Sequence, residues 1–111
     1  MLLRPILVAG ALIAAGLLAR SATAADAEAG KKKAAAQCAV CHGIDGIAKL
    51  PEAPHLAAEQ ATYIIKQLKA FKSGERKHEQ MSIIAESLSD ADMADIAAWY
   101  AKIKVTATMP Q

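Results

Sequence analysis

The chain has 111 residues, with 13 Lys/Arg against 11 Asp/Glu for a formal net charge of +2, 54% apolar residues and only 4% aromatic ones. That length holds one domain at most. No surface mixing basic and aromatic side chains, of the kind that stacks on and neutralises nucleic acid, can be read from it.

The first residues read as a leader. Met1 to Pro5 carries Arg4, Ile6 to Leu18 is an unbroken run of apolar and small residues, and Ala22-Thr23-Ala24 offers small residues at a cleavage site. This is the three-part pattern of a secretory signal peptide. The expectation is cleavage after Ala24 or Ala25, export to the periplasm, and a mature domain over residues 25–111. A membrane-spanning helix needs about 20 apolar residues, and this run is shorter and stops before Arg20, so no stable membrane insertion is expected after cleavage. Without Arg4 and Arg20 the basic side chains fall to the same number as the acidic ones. A neutral domain has no overall field that would favour nucleic acid or an anionic membrane.

Helical spacing dominates the remainder, with no sustained alternation of strand type. Asp26 is an N-cap candidate for a first helix running into the stretch QCAVCHG, residues 37–43. Gly30, Ala34, Cys38 and Cys41 share one face of it, and Lys31, Lys32 and Lys33 read as a solvated face. His42 to Ala58, with Gly43, Gly46, Pro51 and Pro54, is a loop. Ala61, Ile64, Ile65, Leu68 and Phe71 keep the rhythm of a second helix, poorly marked at Gln60 and stopped by Gly74. A short helix is predicted over Ile83 to Leu88. A last one starts at Ser89-Asp90-Ala91-Asp92, close to a capping box, with Met93, Ile96, Ala97, Tyr100 and Ile103 on one stripe. The fold class is all-α, with about four short helices. Much of the apolar content is alanine, so the core is thin, and small domains of this kind lean on disulfides, metals or cofactors.

Cys38-Ala39-Val40-Cys41-His42 admits four chemistries. A disulfide across two residues closes too small a loop to constrain the unfolded chain much. A redox dithiol of the thioredoxin kind belongs beside a βαβ pattern, which is absent. Zinc wants four ligands; His55 or His78 would have to supply the fourth, and adjacent Cys41 and His42 can hardly both reach one tetrahedral ion. Covalent haem c fits the spacing: Cys38 and Cys41 face the same way to form two thioethers, and His42, four residues after Cys38, sits where its imidazole can bind iron. A porphyrin also explains the thin core, because small aliphatic side chains bury against it area they cannot bury against each other. The apoprotein is accordingly expected to be largely unfolded.

A second axial ligand would come from Met81, Met93, Met109, His55 or His78. Met81 is favoured: it follows the Gly74-to-Gln80 stretch and can approach from a separate loop. Met93 lies on an apolar stripe where methionine usually fills space, Met109 is in the tail, and His78 stands among charged residues and reads as solvated.

Cys-x-x-Cys-His-Gly, then Ala53-Pro54-His55-Leu56-Ala57, Tyr63-x-x-x-Gln67-Leu68, Phe71-Lys72-Ser73-Gly74-Glu75-Arg76, Met81 and the run Leu88 to Tyr100 together resemble class I cytochrome c. The likeness is to small bacterial periplasmic monohaem carriers and to one half of the dihaem forms, and it covers about Ala29 to Ile103. It implies a small cytochrome c fold wrapped around one covalent haem c, thioethers at Cys38 and Cys41, and iron ligation by His42 and Met81. It further implies a close crossing of the first and last helices at Gly30 against Trp99 or Tyr100, orientation of His42 by the Pro54 carbonyl, and a propionate contact for Arg76. The sequence departs from relatives at Ala34, where many carry an aromatic, at His55 for a common asparagine and at Ala58 for a common glycine.

The expected function is one-electron transfer between redox protein partners, such as a periplasmic dehydrogenase or reductase and a terminal oxidase, with no nucleic acid partner. No catalytic residue is assigned, and an enzyme is not expected. The rival expectations are a peroxidase-like haem enzyme or sensor with an open distal site, and a dedicated haem subunit of a periplasmic dehydrogenase. Lys66, Lys69, Lys72 and Lys77 read either as a cationic docking rim or as a solvated helix face.

Overall fold

The computed structural model describes residues 23–111; the expected leader, but for its last two residues, lies outside them. Five helices follow in chain order: α1 (Ala27–Gln37), α2 (Ala39–His42), α3 (Ala61–Ser73), α4 (Glu79–Glu86) and α5 (Asp90–Lys102). No strand occurs among the described residues.

Helix α1 begins where its cap predicts, with Asp26 Oδ1 accepting from the Glu28 and Ala29 N–H groups at 2.9 and 3.1 Å. It does not run smoothly through the cysteine motif. Cys38 has φ −116°, outside ordinary helical geometry, and the chain restarts as the four-residue α2. The loop then extends from Gly43 to Gln60, slightly longer than expected.

The frame is the crossing of α1 over α5. A methyl group at Gly30 would lie 1.8 Å from the Asp95 carbonyl oxygen, so only a glycine lets the two backbones meet there. The contact is with the backbone of Asp95 and Ile96, about one turn before the expected Trp99 and Tyr100. Around it the Asp26 N–H donates to Asp95 Oδ1 at 2.8 Å, Lys33 pairs with Asp92 at 3.3 Å, and the Lys31 ammonium lies 5.0 Å from the Trp99 ring centre. Two of the three lysines expected to be merely solvated therefore contact α5. Ala34, one turn further along α1, is completely buried.

Helix α3 lacks a side-chain cap at Gln60 and closes on Gly74, as read from the sequence. Helix α4 differs from expectation: it covers Glu79–Glu86 rather than Ile83 to Leu88, because His78 acts as its N-cap. Leu88 lies beyond its end, 1% exposed, and its carbonyl accepts the Lys72 ammonium. Helix α5 opens on both halves of the box: Asp92 N–H donates to Ser89 Oγ and Ser89 N–H to Asp92 Oδ2, each at 3.0 Å. The Ser89 N–H is the first cause holding the Asp92 carboxyl below its ordinary range.

The core gathers Ala34, Ile64, Leu68, Leu88, Met93, Ile96, Ala97 and Tyr100. Its largest wholly buried side chains are Tyr100, Leu88, Met93 and Ile96, each worth about 1.5–3 kcal/mol by burial.

Ala58 is the only described non-glycine residue with positive φ, at 61°, and its N–H donates to the Tyr100 carbonyl at 3.0 Å. An L-residue with a Cβ costs roughly 1–2 kcal/mol in that region, and glycine gives back part of it through unfolded-chain entropy. Ala58→Gly is expected to stabilise the holoprotein by about 0.5–1 kcal/mol in guanidinium unfolding; a loss of stability would show that the Ala58 methyl group contributes more than its backbone costs.

Candidate functional site

The motif turn is held from three directions. From α1, the Cys38 carbonyl accepts the His42 N–H at 2.9 Å, closing the turn that carries both thiols. From α5, Tyr100, fully buried, donates its hydroxyl to the Gly43 carbonyl at 2.9 Å, and Trp99 Nε1 donates to the Ile44 carbonyl at 2.9 Å. Burial holds the Tyr100 phenol well above its ordinary pKa, so it remains a donor. Gly43 itself has φ 75°, and a Cβ there would meet the Ile47 carbonyl at 2.4 Å. From the loop, the Lys49 N–H donates to the Cys41 carbonyl at 2.8 Å, and the Gly46 carbonyl accepts from Leu56 and Ala57 at 2.8 and 3.1 Å.

That folding-back delivers Pro54 to His42. The ring, 8% exposed, has its Nδ1 2.8 Å from the Pro54 carbonyl oxygen. A carbonyl only accepts, so the proton sits on Nδ1 and Nε2 carries a free lone pair. Among the described residues Nε2 has no hydrogen-bond partner in the protein. A histidine fixed by one nitrogen with the other left basic is prepared as a metal ligand.

Cys38 and Cys41 are both half-buried and are not joined to each other. Burial pushes the Cys38 thiol up to about 11. A redox dithiol calls for the opposite shift, toward thiolate at neutral pH, so the direction at Cys38 does not favour that reading. The zinc reading lacks its ligands: no group of three or more His, Cys, Asp or Glu side chains gathers as a metal site among the described residues. His55 is exposed and its Nδ1 accepts the Ala48 N–H at 2.9 Å, while His78 caps α4.

Of the methionines, Met93 is wholly buried core and Met109 is 82% exposed in the tail. Met81 is half-buried, packs against the edge of the core, and lies in the first turn of α4 rather than in a preceding loop. Arg76 donates to Gln67 Oε1 at 2.7 Å and lies 4.6 Å from the Phe71 ring centre. Sequence reading overlooked the clamp from Tyr100 and Trp99. The one available signal was two adjacent donor-bearing aromatics at the end of an amphipathic helix in a chain poor in aromatics.

Two unjoined thiols one turn apart, beside a buried imidazole with one engaged and one free nitrogen, fit the donor set of a porphyrin iron, and with the five-helix frame they define a c-type haem protein. The chain belongs to the cytochrome c family: a sequence profile described as Cytochrome c matches residues 27–104. It is 40% identical over 103 residues to cytochrome c4 of Pseudomonas aeruginosa, an alignment covering 93% of this chain and 51% of that protein. It is 44% identical over 80 residues to cytochrome c-554(548) of Halomonas halodenitrificans, covering 69% of this chain and 95% of the relative. Among solved structures, reduced recombinant cytochrome c4 from Pseudomonas stutzeri superposes with a TM-score of 0.66 at 40% identity, over 73% of this chain and 47% of that one. The chain thus spans about half the length of its cytochrome c4 relatives. Membership brings a covalent haem c as cofactor, and Cys38 and Cys41 stand in the Cys-x-x-Cys-His pattern.

Tyr100→Phe keeps the ring and removes the one side-chain donor to the Gly43 carbonyl. The Gly43 carbonyl keeps its second bond, from the Gly46 N–H at 3.2 Å, so the loss of one net hydrogen bond is expected to cost about 0.5–1.5 kcal/mol in denaturant unfolding of the holoprotein. A change below about 0.5 kcal/mol, the range of ordinary surface substitutions, would mean that Tyr100 holds the motif by packing alone.

Proposed function

We propose that this chain is a periplasmic one-electron carrier, with residues 1–24 as its cleaved leader and residues 25–111 as the working domain. Cys38 and Cys41 would hold the haem by thioethers, and His42 and Met81 would be the axial ligands. Bound there, haem c supplies an iron that alternates between Fe(III) and Fe(II). The protein's part is to keep the electronic environment constant. Pro54 fixes the tautomer and orientation of His42. Tyr100 and Trp99 hold the motif turn against movement. A thioether sulfur from Met81, if it held the iron, would favour Fe(II) and raise the potential. The observation that carries the reading is the His42 ring, buried, with Nδ1 on the Pro54 carbonyl and Nε2 unclaimed. No helix among the described residues is long and apolar enough to cross a membrane.

Absorption spectra of the purified protein test the ligand set. The oxidised wild type is expected to show a sulfur-to-iron charge-transfer band at the red end, to lose it in Met81→Ala, and to resist carbon monoxide when reduced. High-spin ferric haem with ready carbon monoxide binding in the wild type would favour a haem enzyme or sensor instead.

Charge supports a redox protein partner with an acidic surface. Helix α3 carries Lys66, Lys69 and Lys72 and no acid, whereas α5 carries Asp90, Asp92 and Asp95 against Lys102. Lys72 is engaged by Leu88, so the outward cations of α3 are Lys66 and Lys69, which border a depression lined by Thr62, Ile65 and Ala70, with Glu75 as the one acid at its edge. In the double variant Lys66→Glu/Lys69→Glu, oxidation by a small anionic complex is expected to slow about tenfold at low salt and by a cationic complex to quicken, both effects fading as salt is added. Equal rates for the wild type and the double variant with both complexes would reduce this face to ordinary solvated surface.

A further inference from the structure

The stretch from Lys72 to Gln80, which joins α3 to α4, is exposed at every position. Burial therefore does not fix where α4 starts, and hydrogen bonds must. Three converge on His78. Its Nδ1 accepts the Met81 N–H at 3.2 Å, its own N–H donates to Ser82 Oγ at 3.1 Å, and its carbonyl accepts the Ser82 N–H at 2.9 Å. Its backbone is extended, φ −152° and ψ 134°, as an N-cap requires. The ring also meets Phe71 edge-on, with centroids 6.4 Å apart and planes at 69°. Phe71 is 8% exposed and belongs to α3, so the cap is braced against a second helix.

We infer that His78 is a positioning residue for Met81: it sets the depth and direction from which the sulfur approaches the iron. The inference rests on the reading of Met81 as the axial ligand. The ordinary caps Ser, Thr, Asp and Asn satisfy the same N–H, but none is large enough to reach the ring of the preceding helix. A histidine does both, so the backbone of Met81 is tied through His78 to α3 rather than floating on an exposed loop. Without that tie, the first turn of α4 frays and the sulfur spends more time away from its bound position, opening the site to added ligands.

The experiment uses holoprotein variants. In His78→Ala, amide hydrogen exchange at Met81 in the reduced protein is expected to quicken about fivefold, the fold-change equivalent of a lost cap worth roughly 1 kcal/mol. The oxidised protein should bind added imidazole about fivefold more tightly, with a weaker sulfur-to-iron band, by the same conversion. His78→Asn, which caps but does not reach Phe71, should restore the amide protection and recover imidazole affinity only in part. If His78→Ala lowers the melting temperature while exchange, band and imidazole affinity stay at wild-type values, the cap is merely structural and the inference is overturned. Should His78→Ala not accumulate as folded protein, Ser82→Ala carries the test, with smaller shifts in the same direction expected and unchanged values overturning it. Met81→Ala separates the two levels. Loss of the band there with none of the expected changes in His78→Ala sinks this inference alone, and a band retained in Met81→Ala sinks both it and the ligand assignment.

Discussion

The hydrogen bond from His42 Nδ1 to the Pro54 carbonyl is the constraint around which the other elements are arranged. As one neutral hydrogen bond it contributes only about 1 kcal/mol of net stability. Its effect on the ring is larger than its energy. It selects one tautomer, turns Nε2 into a pure lone-pair donor, and stops rotation about the side chain; losses of such outer partners typically cost 10–100-fold in metal affinity or activity. To make this bond the chain must bring residue 54 back onto residue 42. The loop does so with backbone bonds from Lys49 to Cys41 and from Leu56 and Ala57 to Gly46. The cis-free, glycine-punctuated course of that loop is a means to place one carbonyl.

Helix α5 supports the same turn from the other side. Its buried stripe of Met93, Ile96, Ala97 and Tyr100 anchors one end in the core, and the following donors reach the motif from behind through Gly43 and Ile44. The α1–α5 crossing at Gly30 sets the distance at which this reach succeeds. A larger residue at position 30 would lift α1 off α5, and with α1 would go Cys38. Among the described residues the large side chains that are wholly buried are Tyr100, Leu88, Met93 and Ile96. The apolar faces of a bound porphyrin would add buried area to a core this thin, which is the ground for expecting folding to depend on the cofactor.

What could be read directly from the residues was whatever depends on near neighbours. Asp26 and Ser89 are caps because their side chains reach N–H groups two or three residues on, and the Cys38–Cys41–His42 spacing needs only one turn of helix to be understood. Gly74 and the rhythm of α3 belong to the same class. Long-range partners were less legible. Tyr100 and Gly43 are 57 residues apart, and nothing at either position announces the other. The helix crossing slipped a turn, from Trp99 and Tyr100 to Asp95, because its register depends on how Ala34 and Ile96 pack rather than on Gly30 alone. Helix α4 began four residues early because histidine is not among the usual capping residues, so His78 read as one more charged-loop residue. Lys31, Lys33 and Lys72 read as solvent-facing because a lysine's long stem hides whether its end meets water, a ring, a carboxylate or a carbonyl.

The two sides of the site are held by different means. On the His42 side the supports are numerous: Tyr100 is inaccessible, and the half-buried Trp99, the Pro54 carbonyl and the Cys41–Lys49 backbone bond act on a turn of a few residues. On the Met81 side an exposed connection leads into an eight-residue helix, whose start depends on the hydrogen bonds of His78 and on one ring contact with Phe71. Local opening is cheapest where buried contacts are few and hydrogen bonds face water. Opening is therefore expected first at the start of α4, where one exposed cap and one ring contact replace the inaccessible Tyr100 and the backbone bonds that hold the motif turn.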